Sequence, residues 1–503
     1  MNYLELGRLA VPEALLVVTA LVALGVDLAG RPGGEGPGDE GAWERRAGRV
    51  LGIGVAGCVL TLGWLVAMRP EGALPGGMFV SDAVTRWVRA ALVSLTAGTL
   101  LLSWRMRFTP HVGEYVTVVL LGTVGMMWVA AAENVLMLFL GLELASLSLY
   151  ILTAFDKRDP ASTEAGLKYF LFGGMAGAFL LLGLSFLYGA TGAIEFRAMA
   201  AGLAGAGDSP LALAGLALVL VGLGFKVAAA PFHFWAPDAY QGAPTPAAGL
   251  MAAGAKVAAL FILAKFAVVG LGTLAGDGSW AGLRAGWAPL LGLVAAVSMV
   301  WGNLAALAQR NVKRLLAYSA VAHAGYALVG VMGGGAEAVA AVTFHAVTYA
   351  LTTLGAFGVV GLVEKAAGGS EFGHFAGLAR RAPGLALCLA VFVLSLAGIP
   401  PLVGFFGKFY LFATALGGGD GGMGLLWLVA LGAATTCVSF YYYLRLLKEV
   451  FVSEPGTAGW EGMAGGGVER WTVGAAATGV VAAGCLPAVL LEPLRVGLVA
   501  LGL

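Results

Sequence analysis

Long apolar runs dominate the chain. Runs of span length recur from end to end, punctuated by glycine, proline or small groups of charge. Their approximate centres fall at residues 19, 58, 92, 123, 143, 174, 221, 258, 297, 324, 350, 396, 434 and 483. An apolar run of about 18 residues or more crosses the hydrocarbon core of a bilayer as an α-helix. The pattern therefore predicts an all-α, polytopic membrane protein of about 14 transmembrane helices. Glu5 and Arg8 precede a long run containing Pro12 and Glu13, with no small-residue cleavage site, so the first segment reads as a span and not as a signal peptide. The glycine-rich stretch from Gly30 to Gly41 reads as a solvated loop.

The polar positions between the runs set an orientation. Counted in order, the odd-numbered connections hold 16 lysines and arginines, among them Arg45, Arg46, Lys157, Arg310, Lys313, Arg314 and Lys365. The even-numbered ones hold 3: Arg69, Arg197 and Arg284. Basic connections stay on the cytoplasmic side, which turns both termini outward. Composition agrees with a bilayer: of 503 residues, 59% are apolar and 11% charged, against about 25% charged in an ordinary soluble domain. A net charge of +1 with no basic cluster argues against nucleic acid as a partner. The 79 glycines suit close helix packing in lipid. Cys58, Cys388, Cys437 and Cys485 stand singly in apolar runs and read as core filler, and no His, Cys or carboxylate set has metal-ligand spacing.

A few charges lie where hydrocarbon is expected. Lys168, Lys226, Lys256, Lys265, Lys408 and Glu143 fall inside or close to predicted spans, whereas most arginines stay in connections or near span ends. A charge held in hydrocarbon is costly, so such residues are functional candidates. Lysine, unlike arginine, can give up its proton inside a protein. His233 follows Lys226 by seven residues, which on an unbroken helix puts both on one face. Lys256 and Lys265, nine apart, fall on opposite faces, and Lys265 near its span end reads as a snorkelling side chain. Glu143 has no charged neighbour within a helical turn on its own span, so its partner comes from another helix, Lys226 or Lys168. Glu133, beside Asn134, reads as a surface or capping residue. His323 and His345 lie mid-span, either as hydrogen-bonded core residues or as members of a relay.

Proline and glycine interrupt two runs beside their lysines: GLGFKVAAAPFHFWAPDAYQGAPTP around Lys226 and LAGIPPLVGFFGKFYLF around Lys408. A freed backbone carbonyl is tolerable at membrane depth only where protein or a wet cavity receives it. Paired interruptions point to an inverted-repeat transporter. Residues 112–270 and 287–450 thus read as two inverted five-helix repeats, each with a discontinuous helix. Residues 1–111 read as N-terminal helices and 451–503 as a C-terminal helix.

Together FLGLELASLSLY, GFKVAAAPFHFWAPDAYQGAPTP, AAGAKVAALFILAKF, QRNVKRLLAYSAVAHAGY and GIPPLVGFFGKFYLF resemble the antiporter-like membrane subunits of proton-pumping NADH–quinone oxidoreductase, respiratory complex I. The resemblance is weakest before about residue 110 and after 450. It best suits the family's N-type members: M-type subunits generally carry glutamate where this chain has Lys408, and L-type subunits have a long C-terminal helix for which no room remains before Leu503.

The resemblance implies a subunit of a translocase that moves protons without redox chemistry of its own. It matches Glu143 and Lys226 to the first-half pair, His233 to a bridging residue, Lys256 to the central lysine and Lys408 to the terminal lysine. Lys168 matches a lysine near the glutamate pair, and His323 and His345 are weaker matches. It implies no cofactor in this chain, with FMN, iron–sulfur clusters, NADH and quinone in partner subunits. It also implies M-, K- and J-type membrane neighbours and a bacterial cell (inner) membrane. Two alternatives share most of these residues: a subunit of a multi-subunit sodium/proton antiporter, and the membrane arm of a related hydrogenase complex.

Overall fold

A computed structural model describes residues 3–30, 40–206, 209–280, 282–417, 424–455 and 467–500. Most of the predicted loop between the first two runs, residues 31–39, lies outside them. The helices, in chain order, are α1 (Tyr3–Ala29), α2 (Glu40–Ala67), α3 (Ala83–Leu102), α4 (Val112–Ala131), α5 (Val135–Thr153), α6 (Pro160–Thr191), α7 (Phe196–Ala206), α8 (Pro210–Lys226), α9 (Trp235–Gly242) and α10 (Thr245–Val269). There follow α11 (Trp287–Leu307), α12 (Val312–Val331), α13 (Gly335–Ala367), α14 (Leu378–Arg381), α15 (Pro383–Ala397), α16 (Val403–Gly417), α17 (Leu426–Phe451), α18 (Val468–Cys485) and α19 (Ala488–Ala500).

Each of the fourteen predicted centres falls inside one of these helices. Among the described residues nine helices are long and apolar enough to cross a bilayer, or ten if α18 and α19, bent by 69°, form one span. Helices α3 and α12 have the length but carry Arg86 and Arg89, and Lys313, Arg314 and His323. The shorter α8, α15 and α16 flank the two predicted interruptions.

The connections sort by parity. Odd ones meet odd ones: Arg46 donates to the Pro110 carbonyl (3.0 Å), Lys365 to that of Arg105 (2.9 Å), and Asn311 bridges to Glu371. Even ones meet even ones: the Glu133 amide donates to Gly77 (3.1 Å), and Asn134 bridges to Glu195. Alternate crossing of a slab by successive helices produces that sorting, since a chain that crosses it once per helix returns to the same side every second time.

Helices α10 and α13 form the centre, each with 83% of its apolar window buried, and they pack on one another. Glycine sets the closest crossings. A Cβ on Gly183 of α6 would stand 2.7 Å from the Gly215 carbonyl oxygen of α8, and one on Gly215 would stand 2.9 Å from the Gly183 oxygen. Between lipid-embedded helices such backbone approach replaces the hydrophobic driving force that water would supply. Cys58 is buried as core filler, but Cys437 and Cys485 are exposed on outward helix faces and fill no core.

The N-terminal helices hold a pair that the sequence reading missed. Arg89, six residues into α3, has a fully buried side chain and meets Glu13 of α1 at 2.6 Å. It also donates to the Ser81 hydroxyl (3.1 Å) and lies over the Phe79 ring. Asp27 of α1 meets Arg46 of α2 at 3.5 Å. Near the starts of α2 and α3, a carboxylate on α1 thus holds each buried arginine.

Candidate functional site

Helix α8 ends at Lys226, and residues 227–234 run through turns, with Ala228 at φ 57°, before α9 begins. The freed backbone finds partners: the Ala230 amide donates to the Ser298 hydroxyl (2.8 Å), and the Trp235 indole donates to the Phe225 carbonyl (3.1 Å). This break corrects the expectation that Lys226 and His233 share one helix face, because no continuous helix joins them. His233 turns instead toward α11 and α12, with its ring 6.5 Å from that of Trp301 and 6.3 Å from that of Tyr318.

Lys226 of α8 meets a polar step on α5. Its ammonium donates to the Ser146 hydroxyl at 2.5 Å and stands 3.7 Å from the Glu143 carboxylate. Ser146 lies three residues beyond Glu143 and therefore on the same helix face. Sequence reading named Glu143 and passed over this serine, although LELASLS carries the spacing. Of the two proposed partners for Glu143, Lys226 is the one beside it. Lys168 instead meets Glu164 (2.7 Å) and Asp238 (2.9 Å), and Asp238 also binds Arg314 at 2.5 Å. The Lys168 side chain is 42% exposed, so it belongs to a half-open network away from the glutamate.

Lys256 donates to the Ala320 carbonyl of α12 and lies over the Tyr349 ring, 5.5 Å from its centroid. No carboxylate faces it among the described ion pairs. Lys265, on the same helix, is 2% exposed and pairs with Glu133 at 2.9 Å. Neither expectation for that pair survives: α10 is enclosed along its length, so Lys265 cannot snorkel, and Asn134 rather than Glu133 caps α5, accepting from the Leu136 amide at 2.8 Å.

The second break runs from Gly398 to Leu402, between α15 and α16. Lys408, one turn into α16, reaches back across it and donates to the Ala397 carbonyl at 3.1 Å. A cation at the carbonyl end of a helix is favoured by the helix dipole. The ammonium also lies 4.9 Å from the centroid of the Tyr326 ring. Between Lys256 and Lys408 stand the two mid-span histidines, brought together by α12 and α13. The rings of His323 and His345 stack at 5.6 Å, His323 lies 4.8 Å from Tyr349, and the charges of both lysines reach both imidazoles. His233 Nδ1, His323 Nδ1 and His345 Nε2 are buried without a hydrogen-bond partner.

Ionisable side chains from six helices thus line the interior at both breaks: Glu143 of α5 and Lys226 of α8 at the first, with His233 inside it, and Lys256 of α10, His323 of α12 and His345 of α13 grouped toward Lys408 of α16 at the second. No group of three His, Cys, Asp or Glu among the described residues is placed to hold a metal ion.

Fold and site together define a class: a multi-pass membrane protein that keeps a row of protonatable groups in its interior. Residues 132–439 match the family model described as NADH:quinone oxidoreductase/Mrp antiporter, TM. The chain is 44% identical over 466 residues to an NADH-quinone oxidoreductase subunit N 2 of Acidobacterium capsulatum, covering 90% of this chain and 91% of that one. It is 34% identical to a chain of respiratory complex I from Thermus thermophilus, with a TM-score of 0.78 over 97% of this chain and 100% of that one. A chain of the Mrp complex from a Dietzia species, 21% identical with a TM-score of 0.78 over 100% of this chain and 98% of that one, shares the fold. The chain belongs to the NADH:quinone oxidoreductase/Mrp antiporter family of membrane subunits.

Proposed function

We propose that the chain is the N-type, proton-translocating membrane subunit of a bacterial NADH–quinone oxidoreductase. The observation that carries the reading is the row of buried lysines and histidines between the two helix breaks; the subunit N name borne by its relatives supports the assignment to that complex. Electrons pass elsewhere, through FMN and iron–sulfur clusters to quinone in partner subunits. This chain's neighbours are an M-type antiporter-like subunit and the small K- and J-type membrane subunits.

The topology that goes with this reading has fourteen crossings, counting α8 with α9, α15 with α16 and α18 with α19 as single interrupted or bent spans and leaving α7 and α14 out. The odd connections face the cytoplasm and both termini face outward, as the basic residues favour. Helices α4, α5, α6, α8/α9 and α10 form one five-helix unit and α11, α12, α13, α15/α16 and α17 its inverted counterpart. Support comes from the matching order of packing: the first helix of each unit lies on the second, and the third on the interrupted fourth.

In this mechanism a change of charge at Glu143 and Lys226 alters how readily the next lysine keeps its proton. The disturbance passes through His233, Lys256 and the histidine pair to Lys408, and the two breaks supply half-channels to opposite sides. Moving one charge against 100 mV costs about 2.3 kcal/mol, which quinone reduction in the partner subunits must supply.

The test is Lys226→Ala in the assembled enzyme, with proton pumping and quinone reduction measured together. Pumping is expected to fall sharply, and normal pumping with normal quinone reduction overturns the reading. Purification of the native assembly separates the rival: flavin and iron–sulfur absorbance with NADH-dependent quinone reduction support complex I, and an assembly without redox cofactors indicates a sodium/proton antiporter.

A further inference from the structure

A third buried lysine pair, beside those of Lys226 and Lys265, has no part in the row above. Lys313, the second residue of α12, counts by sequence as a cytoplasmic connection residue, yet its side chain is 4% exposed. Its ammonium meets the Glu364 carboxylate of α13 at 2.9 Å and faces the Gln241 and Ala243 carbonyls at 3.5 Å each. Glu364 also accepts from the Thr245 hydroxyl at the start of α10. The carboxylate is 35% exposed and forms part of the wall of a cavity of about 450 Å³. Arg105, Arg107, Asp156, Asp159 and Lys365 line the same cavity, all of them from odd-numbered connections or their edges. Lys313 borders the cavity too, but with 35% of the carboxylate exposed against 4% of the lysine the pair is wetter on the glutamate side and drier on the lysine side.

The dry side leads toward the row. Lys313 and Ala320 are seven residues apart on α12, about two turns and 10 Å, and so lie on nearly the same face. The Ala320 carbonyl is the one that holds Lys256. Beside Gln241, whose carbonyl faces Lys313, stands Tyr240, fully buried with a hydroxyl that has no hydrogen-bond partner. The Tyr240 ring packs edge-on at 5.9 Å against Phe357 of α13, the helix whose Tyr349 ring lies under the Lys256 ammonium. A buried hydroxyl without a partner is costly unless something transient uses it.

We infer that the Lys313–Glu364 pair is an intake site, taking protons from the odd-connection cavity and passing them along the Tyr240 side to Lys256. The inference rests on the proton-translocating reading above. The pair undergoes no net change: Lys313 releases a proton inward, Glu364 takes one from cavity water and hands it to Lys313 across their 2.9 Å contact, and the charged pair is restored with one proton taken up and one delivered.

The alternative role for two such residues is a staple between α12 and α13, and a charge-free replacement separates the two. Packed apolar side chains commonly substitute for a buried ion pair without loss of stability, so Lys313→Met with Glu364→Leu keeps a staple and removes an intake. In inside-out membrane vesicles carrying the assembled enzyme, the double variant is expected to assemble and to pump roughly 10-fold less. That is short of the roughly 100-fold that a positioned proton-transfer group contributes, because cavity water replaces part of the relay. Glu364→Gln should lose pumping similarly, and Glu364→Asp should recover most of it. Wild-type pumping by the double variant, with Lys226→Ala impaired in the same vesicles, overturns the intake and leaves the functional reading standing. Normal pumping by Lys226→Ala removes both. Should the double variant not assemble, the Gln and Asp variants decide: equal pumping at equal assembly overturns the inference, and rescue by Asp alone supports it.

Discussion

Two regions of the molecule bury charge in opposite ways. In the N-terminal helices the buried cation is arginine: Arg89 touches the carboxylate of Glu13, a hydroxyl and an aromatic face, with none of its side chain exposed. In the interior between the breaks the buried cation is lysine, and its partners are looser. Lys226 stands 3.7 Å from Glu143, Lys256 has a carbonyl and a ring, and Lys408 has a carbonyl and a ring. Arginine holds its charge at any accessible pH, so Arg89 with Glu13 is a fixed staple between α1 and α3. Lys256 and Lys408, held by a carbonyl and a ring face each, sit where loss of a proton leaves no orphaned anion behind, and Lys226 shares its carboxylate at a longer distance. Burial alone therefore does not tell the two regions apart; the residue type and the closeness of its pairing do.

The contrast can be broken at several points. The largest effect expected is on folding: Glu13→Ala leaves Arg89 buried and uncompensated and should cost about 3–5 kcal/mol, read as loss of assembled complex or a lowered unfolding temperature. Replacing both by leucine should restore assembly, with pumping per electron unchanged; a pumping defect in that double variant would move the arginine pair into the functional class. Next comes Lys408→Ala, expected to leave the complex assembled and to reduce pumping roughly 100-fold. Lys408→Arg should not rescue it, because a cation that cannot release its proton fills the site without serving it. Glu143→Gln should lower pumping by roughly 10-fold, less than loss of the lysine itself, since Ser146 still holds the ammonium. The smallest effect is reserved for Lys168→Met: with its ammonium in the half-exposed Asp238 network, pumping should change by no more than about twofold, in keeping with the small worth of exposed ion pairs. A larger loss would restore Lys168 to the first pair.

Much of the site was legible in advance. Lysine in an apolar run is anomalous wherever it stands, so Lys226, Lys256 and Lys408 announced themselves, and Pro231, Pro400 and Pro401 marked the breaks. Two kinds of residue escaped. Ser146, Tyr326 and Tyr349 are unremarkable in an apolar sequence, and only their position against an ammonium makes them part of the site. Lys313 and Glu364 sit at helix ends, where charge is expected, and only the packing of α12 against α10 and α13 takes Lys313 out of water.

The sequence by itself determined residence in the bilayer, a helix at every predicted centre, the two interruptions and the asymmetry of basic connections. Each of these depends on local hydropathy or on residues within one helix. The tertiary structure alone decided the pairings: Glu143 with Lys226 and not Lys168, Lys265 with Glu133 and not with lipid headgroups, Arg89 with Glu13, and two histidines stacked between two lysines. Helical periodicity relates residues a few turns apart on one segment. An ion pair between helices is fixed instead by which segments lie side by side and by how far glycine lets them approach, and neither quantity is written in the pattern along the chain.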